Sequence, residues 1–312
     1  MIFASLALVG GILLAALGGE AFLKGVLAVS RWWRIPPSIT AATLGAFATS
    51  SPEVFVSAMA AWDGQPAIGF GDATGSNVVN IALILALALL LKPMPVSRRA
   101  IALDFVSASA ACLLLGTMIW DGLISRFEAL VLLIVFLAWM GMHVRTALRV
   151  RSEPSDLGGS SEGWRAAAWC LVGLVTLVLA GMLVVDGATV IATAYGVPPF
   201  LIGATLVALG TSMPELATTL TAVRRGHHEV GVGTLLGSNV FNGLFIVAIT
   251  AAIHPIEVSG LGPWIALLAA LIAVALTWPG RASAWLGHSR GLLLIAVYGV
   301  YITLLAVTSG MN

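Results

Sequence analysis

The chain has 312 residues, 59% hydrophobic and only 9% charged, with a mean hydropathy of +1.03 and a net charge of +1. A soluble domain carries about 25% charged residues, so this composition excludes a water-soluble globular fold and requires a polytopic membrane protein. A net charge this near zero gives no field to hold a nucleic acid, and the lipid bilayer is the partner the composition implies; no obligate protein partner is evident in the sequence.

Apolar runs of about 20 residues are long enough to cross a bilayer. Ten follow one another, at roughly 2–28, 36–62, 67–91, 100–120, 127–147, 166–193, 198–223, 230–253, 259–279 and 288–308. The first, "MIFASLALVGGILLAALGG", has no basic leader and runs past residue 20, which reads as a retained span rather than a cleaved signal. Cys112 and Cys170 each lie in an apolar run and read as small packing residues, not as a disulfide or metal pair. Glu20 and Lys24, spaced i, i+4 on the first span, read as snorkelling or paired charges. The longest polar connection, "RVRSEPSDLGGSSEGWR", is central and rich in Gly and Ser, which marks a linker between two halves. Of the 15 basic residues, 13 lie in alternate loops; Arg126 falls in an opposite loop and Lys24 within the first span. The positive-inside rule then puts both termini outside the cytoplasm and the linker inside.

The sequence also matches itself. Shifted by 162 positions, "IPPSITAATLGAFATSSPE" (35–53) lies over "VPPFLIGATLVALGTSMPE" (197–215), with ten of nineteen positions identical. At the same shift "GFGDATGSNVVN" (69–80) lies over "GVGTLLGSNVFN" (231–242), with seven of twelve identical. Each half holds five spans, an odd number, so the second copy enters the membrane in the opposite sense. The expected fold class is therefore an all-α membrane protein of ten transmembrane helices, built as two inverted five-helix repeats. The expected divisions are a first repeat at 1–150 (motif 35–80), a linker at 151–164 and a second repeat at 165–312 (motif 197–242). Inverted repeats of this kind mark secondary transporters, with the site near the midplane where the halves meet.

The motifs carry the chemistry such a site needs. Pro52 and Pro214 lack an N–H and cannot bond the carbonyls of Ala48 and Gly210, so each breaks a helix at membrane depth. Thr49 and Ser50 share a helix face with Glu53, and Thr211 and Ser212 share one with Glu215. Ser76 and Asn80 are i, i+4 on the third span, as are Ser238 and Asn242 on the eighth. The inventory is all hard oxygen with no thiolate or imidazole, which suits calcium, sodium or magnesium rather than zinc or copper. A carboxylate at mid-bilayer costs roughly 2.5–3.5 kcal/mol; two facing one cavity also repel, and a bound divalent cation offsets both terms. For the hydroxyls, helix–helix hydrogen bonding is as good a reading as ligation, and for the glycines of "GSN" close helix packing is at least as good as backbone ligation.

"ATSSPE" with "GSNVVN", and "GTSMPE" with "GSNVFN", resemble the alpha-1 and alpha-2 repeats of the calcium/cation antiporter superfamily, specifically its prokaryotic sodium/calcium exchangers. The resemblance implies sodium-for-calcium antiport by alternating access in the cell inner membrane, with Ca2+ and Na+ as substrates, no cofactor and no enzymatic activity. It implies that Glu53 and Glu215 are the central ligands, and that Thr49, Ser50, Thr211 and Ser212 supply oxygen to flanking sodium sites completed by Ser76 and Ser238. It further implies backbone carbonyl ligands at Ala46 and Ala208, with Asn80 and Asn242 lining the centre. In this family the first and sixth spans slide across the other eight.

Three positions depart from the family pattern. Asn242 stands where the family's exchangers often have Asp, leaving two carboxylates and keeping a proton-coupled calcium exchanger open as the alternative. Asp72 stands where the family has Asn; it reads equally as an acid at the external mouth or as a helix N-terminal acid favoured by the dipole. Ser51 adds a hydroxyl of no evident purpose. A passive channel and a membrane enzyme fit less well: inverted halves argue against the first, and no nucleophile accompanies the two glutamates for the second.

Overall fold

The computed structural model describes residues 2–33, 43, 45–150, 160–194, 199–280 and 283–309. Most of the expected linker at 151–164 and the first residues of both motifs lie outside the described residues. The described chain is almost wholly helical. In order it comprises α1 (Ile2–Trp33), α2 (Ala46–Thr49), α3 (Ser51–Trp62), α4 (Pro66–Leu91), α5 (Arg98–Met118) and α6 (Arg126–Val150), followed by α7 (Ser160–Ala194), α8 (Phe200–Thr211), α9 (Met213–Arg224), α10 (228–253), α11 (Gly262–Thr277) and α12 (His288–Ser309). Among the described residues six helices are long and apolar enough to cross a membrane, or seven if α8 and α9, bent by 41° at their junction, count as one.

Helices α4 and α10 form the centre, each 78% buried within the protein, whereas the other long spans range from 22% to 39%. The outer helices turn large apolar side chains such as Leu13, Leu130 and Leu293 outward, as lipid-facing surfaces require. Helix α1 packs chiefly along α7 and then α9. This close approach relies on small residues: a Cβ on Gly173 would lie 2.4 Å from Phe22 N, and one on Gly25 would lie 2.5 Å from Cys170 N. Cys112 and Cys170 are both free thiols.

Helix α4 crosses α8 on the glycines of the first motif. A Cβ on Gly71 would meet Phe200 O at 2.6 Å, and one on Gly75 would meet Ala204 O at 2.5 Å; from the other side, a Cβ on Gly203 would meet Ile68 O at 2.4 Å. The glycine of "GSN" at position 75 therefore serves helix packing. Helix α8 is π-helical over Gly203–Val207, and Tyr301 of α12 donates its hydroxyl to Ala204 O at 2.8 Å, satisfying a carbonyl at the place where the regular ladder is interrupted.

Two short antiparallel strand pairs tie the helix ends together. Strand β1 (Met94–Ser97) pairs with β4 (Ser283–Leu286), and β2 (Leu123–Ile124) pairs with β3 (Ile256–Glu257). Arginines cap the helices nearby. Arg98 donates to Pro279 O at 3.0 Å and Gly280 O at 2.6 Å, and Arg290 to Leu276 O at 2.5 Å and Trp278 O at 2.6 Å. Arg126, the one loop cation on the wrong side of the charge pattern, donates to Ala252 O at 3.1 Å and Ile253 O at 3.2 Å. It closes the C-terminus of α10, where orphan carbonyls and the helix dipole favour a cation; local capping outweighs the topological preference.

A buried polar pair between α5 and α6 has no signature in the motifs. His143 Nε2 lies 2.7 Å from Asp104 Oδ1, which also accepts from Trp139 Nε1 at 3.1 Å. The i, i+4 spacing of Trp139 and His143 puts both donors on one face of α6.

The glycine crossing gives a direct test. Gly75→Ala forces a methyl against backbone and should cost about 1–3 kcal/mol, read as a lowered thermal unfolding midpoint in detergent. Gly116→Ala, whose Cβ would have its nearest neighbour at 3.9 Å, should leave the midpoint unchanged.

Candidate functional site

Each motif breaks its helix where the prolines predict. The first stops at Thr49 and restarts at Ser51, with Ser50 at φ −82°, ψ 9°; the second stops at Thr211 and restarts at Met213, with Ser212 at φ −79°, ψ 6°. Main-chain bonds carry across each break: Ser50 N to Ala46 O (2.9 Å) and Val54 N to Ser50 O (3.1 Å), then Ser212 N to Ala208 O (3.1 Å) and Leu216 N to Ser212 O (3.0 Å). The carbonyls of Ala46 and Ala208 thus each hold one N–H, and each also lies within reach of a hydroxyl: Thr49 Oγ1 at 3.5 Å from Ala46 O, and Thr211 Oγ1 at 3.3 Å and Ser76 Oγ at 3.5 Å from Ala208 O. Proline occupies the first turn of both new helices, where its missing N–H costs nothing, and Glu53 and Glu215 project from those first turns.

The two breaks exchange hydrogen bonds. Ser50 Oγ of the first donates to Glu215 Oε1 of the second at 3.1 Å, and Ser212 Oγ of the second donates to Glu53 Oε1 of the first at 3.5 Å. Ser238 Oγ of α10 adds a further donor to Glu215 Oε1 at 3.1 Å. Both glutamates, Thr49, Ser50, Thr211, Ser212, Ser76, Ser238, Asn80, Asn242, Ala46 and Ala208 are fully buried, so all twelve residues expected from the sequence lie in the protein interior.

The amides come from π-helical segments. Val79–Leu85 of α4 contains Asn80 and Phe241–Ile246 of α10 contains Asn242; widened turns of this type recur at functional sites. Asn80 Nδ2 donates to Asn239 Oδ1 at 3.1 Å, and Asn239 Nδ2 to the Asn77 carbonyl at 3.0 Å. What is left unpaired defines the centre. Glu53 Oε2, Glu215 Oε2, Asn80 Oδ1, Asn77 Oδ1 and both polar atoms of Asn242 are buried without a hydrogen-bond partner. An unsatisfied buried polar atom costs about 1–3 kcal/mol; oxygen atoms from four separate segments are left in this condition, and oxygen is the donor type a hard cation takes. Among the described residues no three Asp, Glu, His or Cys side chains group as a metal cluster; neutral oxygens make up the rest of the set.

Asp72 is a buried acid that the motif pattern leaves out of the expected site. It lies in the seventh position of α4, past the first turn, and it is fully buried. Neither the mouth nor the N-terminal dipole accounts for it, since the dipole's influence ends within the first turn. Its Oδ1 accepts from Thr211 Oγ1 at 2.9 Å and Ser76 Oγ at 3.5 Å, and its Oδ2 from Ser57 Oγ at 3.2 Å. The i, i+4 spacing of Asp72 and Ser76 could have signalled this, as could the repeat identity of Asn77 and Asn239. Ser51 points elsewhere, donating to Phe47 O of its own helix at 3.0 Å. Glu20 and Lys24 are paired charges, 3.1 Å apart, and Arg225 also bonds Glu20.

Comparison with known proteins follows the same lines. A family model described as sodium/calcium exchanger protein matches residues 3–144 and again 165–307. The chain is 30% identical to inner membrane protein YrbG of Escherichia coli K12 over 98% of this chain and 97% of that protein. It is 24% identical to sodium/calcium exchanger MaX1 of Methanosarcina acetivorans, over 95% and 96% of the two chains. Its fold superposes on the sodium-calcium exchanger NCX_Mj, soaked with 100 mM Na+ and 10 mM Sr2+, with a TM-score of 0.81 at 25% identity, covering 97% of this chain and 98% of that one.

The crossed hydroxyls are unequal, and that inequality is measurable. Ser50→Ala removes a 3.1 Å donor from a fully buried carboxylate and should cost about 1–3 kcal/mol. Ser212→Ala removes one at 3.5 Å and should cost less. Equal losses in denaturant midpoint would contradict the geometry.

Proposed function

The chain belongs to the sodium/calcium exchanger protein family, and on that premise we propose that it is a sodium-driven calcium antiporter of the inner membrane, exporting Ca2+ by alternating access. One observation carries this reading: two fully buried glutamates from repeat-related helix breaks, cross-bonded by each other's serine, each keep an unpaired oxygen, and Asn80 Oδ1 and both polar atoms of Asn242 are likewise buried and unpaired. Two carboxylates match one Ca2+ in charge, and the neutral oxygens supply the six to eight ligands that calcium takes. Sodium ions meeting the same acids singly, with Thr49, Ser50, Ser238 and the Ala46 carbonyl on one flank and Thr211, Ser212, Ser76 and the Ala208 carbonyl on the other, compete for the same charge. Competition for one set of acids is the coupling: either cargo neutralises the buried carboxylates, and the unneutralised site bears their full cost.

The ten-span inverted architecture belongs to this reading. The 162-residue repeat, the two family matches beginning 162 positions apart, and the strand pairs, in which β1 and β3 are repeat mates and so are β2 and β4, all support two five-span halves at 1–150 and 165–312. With the basic loops inside, both termini are extracytoplasmic and the 151–164 linker is cytoplasmic. A proton-coupled calcium exchanger is the second reading, favoured by Asn242: a centre with two carboxylates can be neutralised by protons as well as by sodium.

Calcium flux in proteoliposomes under imposed gradients separates the two. An outward sodium gradient at equal pH should drive Ca2+ uptake; uptake driven by a pH gradient alone would favour the proton reading. Glu53→Gln, which keeps shape and removes charge, should reduce exchange by at least about 100-fold, given about 3–5 kcal/mol for losing one member of a buried charge set. It should also abolish calcium-induced thermal stabilisation.

A further inference from the structure

The 162-residue repeat pairs each side chain of one flank with a mate on the other, and the two flanks are not equal. Thr211, Ser76 and the Ala208 carbonyl lie beside Asp72; their mates Thr49, Ser238 and the Ala46 carbonyl belong with Thr234. One flank therefore carries a buried charge that its mirror image lacks. The hydroxyls respond to it. Ser238 donates to Glu215 at 3.1 Å, whereas its mate Ser76 lies within 3.5 Å of Asp72 Oδ1, Ala208 O and Thr211 Oγ1. Thr49 and Thr211 each bond the carbonyl four residues back, Gly45 O at 3.1 Å and Val207 O at 3.0 Å, and Thr211 Oγ1 also lies 2.9 Å from Asp72 Oδ1. Ser57 supports Asp72 Oδ2 at 3.2 Å, whereas its mate Thr219 is buried with its hydroxyl unpaired.

The geometry around Asp72 is that of an oxygen cage. Thr211 Oγ1 is 2.9 Å from Asp72 Oδ1, 3.3 Å from Ala208 O and 3.5 Å from Ser76 Oγ, and Ser76 Oγ is 3.5 Å from both Asp72 Oδ1 and Ala208 O. Ligands held about 2.4 Å from a cation in octahedral arrangement are about 3.4 Å apart, the spacing of four of these five edges. Thr211 and Ser76 have one hydroxyl proton each to share among these four oxygens, so lone pairs exceed donors and a small cation completes the set.

We propose that Asp72 is a specificity-determining residue of transport, the charged ligand that makes the Asp72–Thr211–Ser76–Ala208 flank a strong monovalent-cation position and leaves its mirror flank a weak one. This assignment rests on the exchange reading. It raises the count of carboxylates at the site to three, Glu53, Glu215 and Asp72, so three sodium ions find three charges while Ca2+ needs only the central two.

The test measures sodium-dependent calcium exchange and calcium binding on the same preparation of the full chain. Asp72→Asn, near-isosteric, with one oxygen kept as an acceptor and an NH2 donor in place of the other, should raise the sodium concentration for half-maximal exchange by about tenfold or more and lower its Hill coefficient. Calcium affinity without sodium should stay within about twofold. Ser57→Ala, outside the cage, should shift the sodium dependence the same way by a smaller factor. Placing the acid on the other flank, Asp72→Asn with Thr234→Asp, should restore sodium affinity. An unchanged sodium dependence in Asp72→Asn, or an equal loss for both ions, overturns the assignment; equal loss would mark a structural role. Glu53→Gln, run alongside, separates the two ideas. If the unmodified chain shows no sodium-dependent calcium exchange the exchange reading itself fails, and if Glu53→Gln leaves exchange intact its central site fails, whereas if Glu53→Gln abolishes exchange and Asp72→Asn changes nothing, only Asp72 is misassigned.

Discussion

Two carboxylates buried at membrane depth must be held by something, and here each is held by the other repeat's broken helix. Ser50 and Ser212 sit at the breaks, donate across to Glu215 and Glu53, and so make each half incomplete without its partner. The breaks exist because proline at the second position of each new helix forbids a continuous ladder. Helix ends at this depth are tolerated only where protein encloses them, which is why α4 and α10, the two most buried spans, lie against them. The glycine crossing of α4 on α8 brings Ser76 and Asp72 within reach of Thr211 and Ala208. A bulkier crossing would separate these oxygens.

The donor set shows what satisfaction and its absence each accomplish. Away from the centre several polar groups are paired: Asp104 with His143 and Trp139, Ala204 O with Tyr301, Arg126 with the end of α10. At the centre they are not, and the unpaired atoms are oxygens of Glu53, Glu215, Asn80, Asn77 and Asn242, with one amide nitrogen. Unpaired buried oxygens of this kind are what a bound cation would satisfy. The π-helical segments serve the same end. By widening the turn at Asn80 and at Asn242 they alter the direction in which the amides project without ending the helix.

Duplication produces near-symmetry, and transport needs less than full symmetry. The two flanks share serine, threonine and carbonyl, yet only one holds a third acid, and the hydrogen bonds rearrange around it. An exchanger that binds a divalent and a monovalent ion on shared ligands gains discrimination from such inequality, because charge added off-centre favours the ions that occupy the flank over the one that occupies the centre.

Much of this was legible in one dimension. Composition decided the membrane; the 162-residue self-match decided that there are two related halves; proline after paired hydroxyls decided where helices break and which acids face inward. These follow from local chemistry, since proline's missing N–H and an apolar run of given length act the same in any context. Three-dimensional packing decided the rest. Whether Asp72 belonged to a surface, a helix terminus or the site depended on α8 crossing α4 at Gly75, a contact between residues far apart in sequence. The pairing of Asp104 with His143, and Arg126 on the "wrong" side, likewise depended on partners 39 and 126 positions away. Periodicity reports which face of a helix is polar. It carries no information on which other helix meets that face, and that meeting decides which groups surround a buried acid.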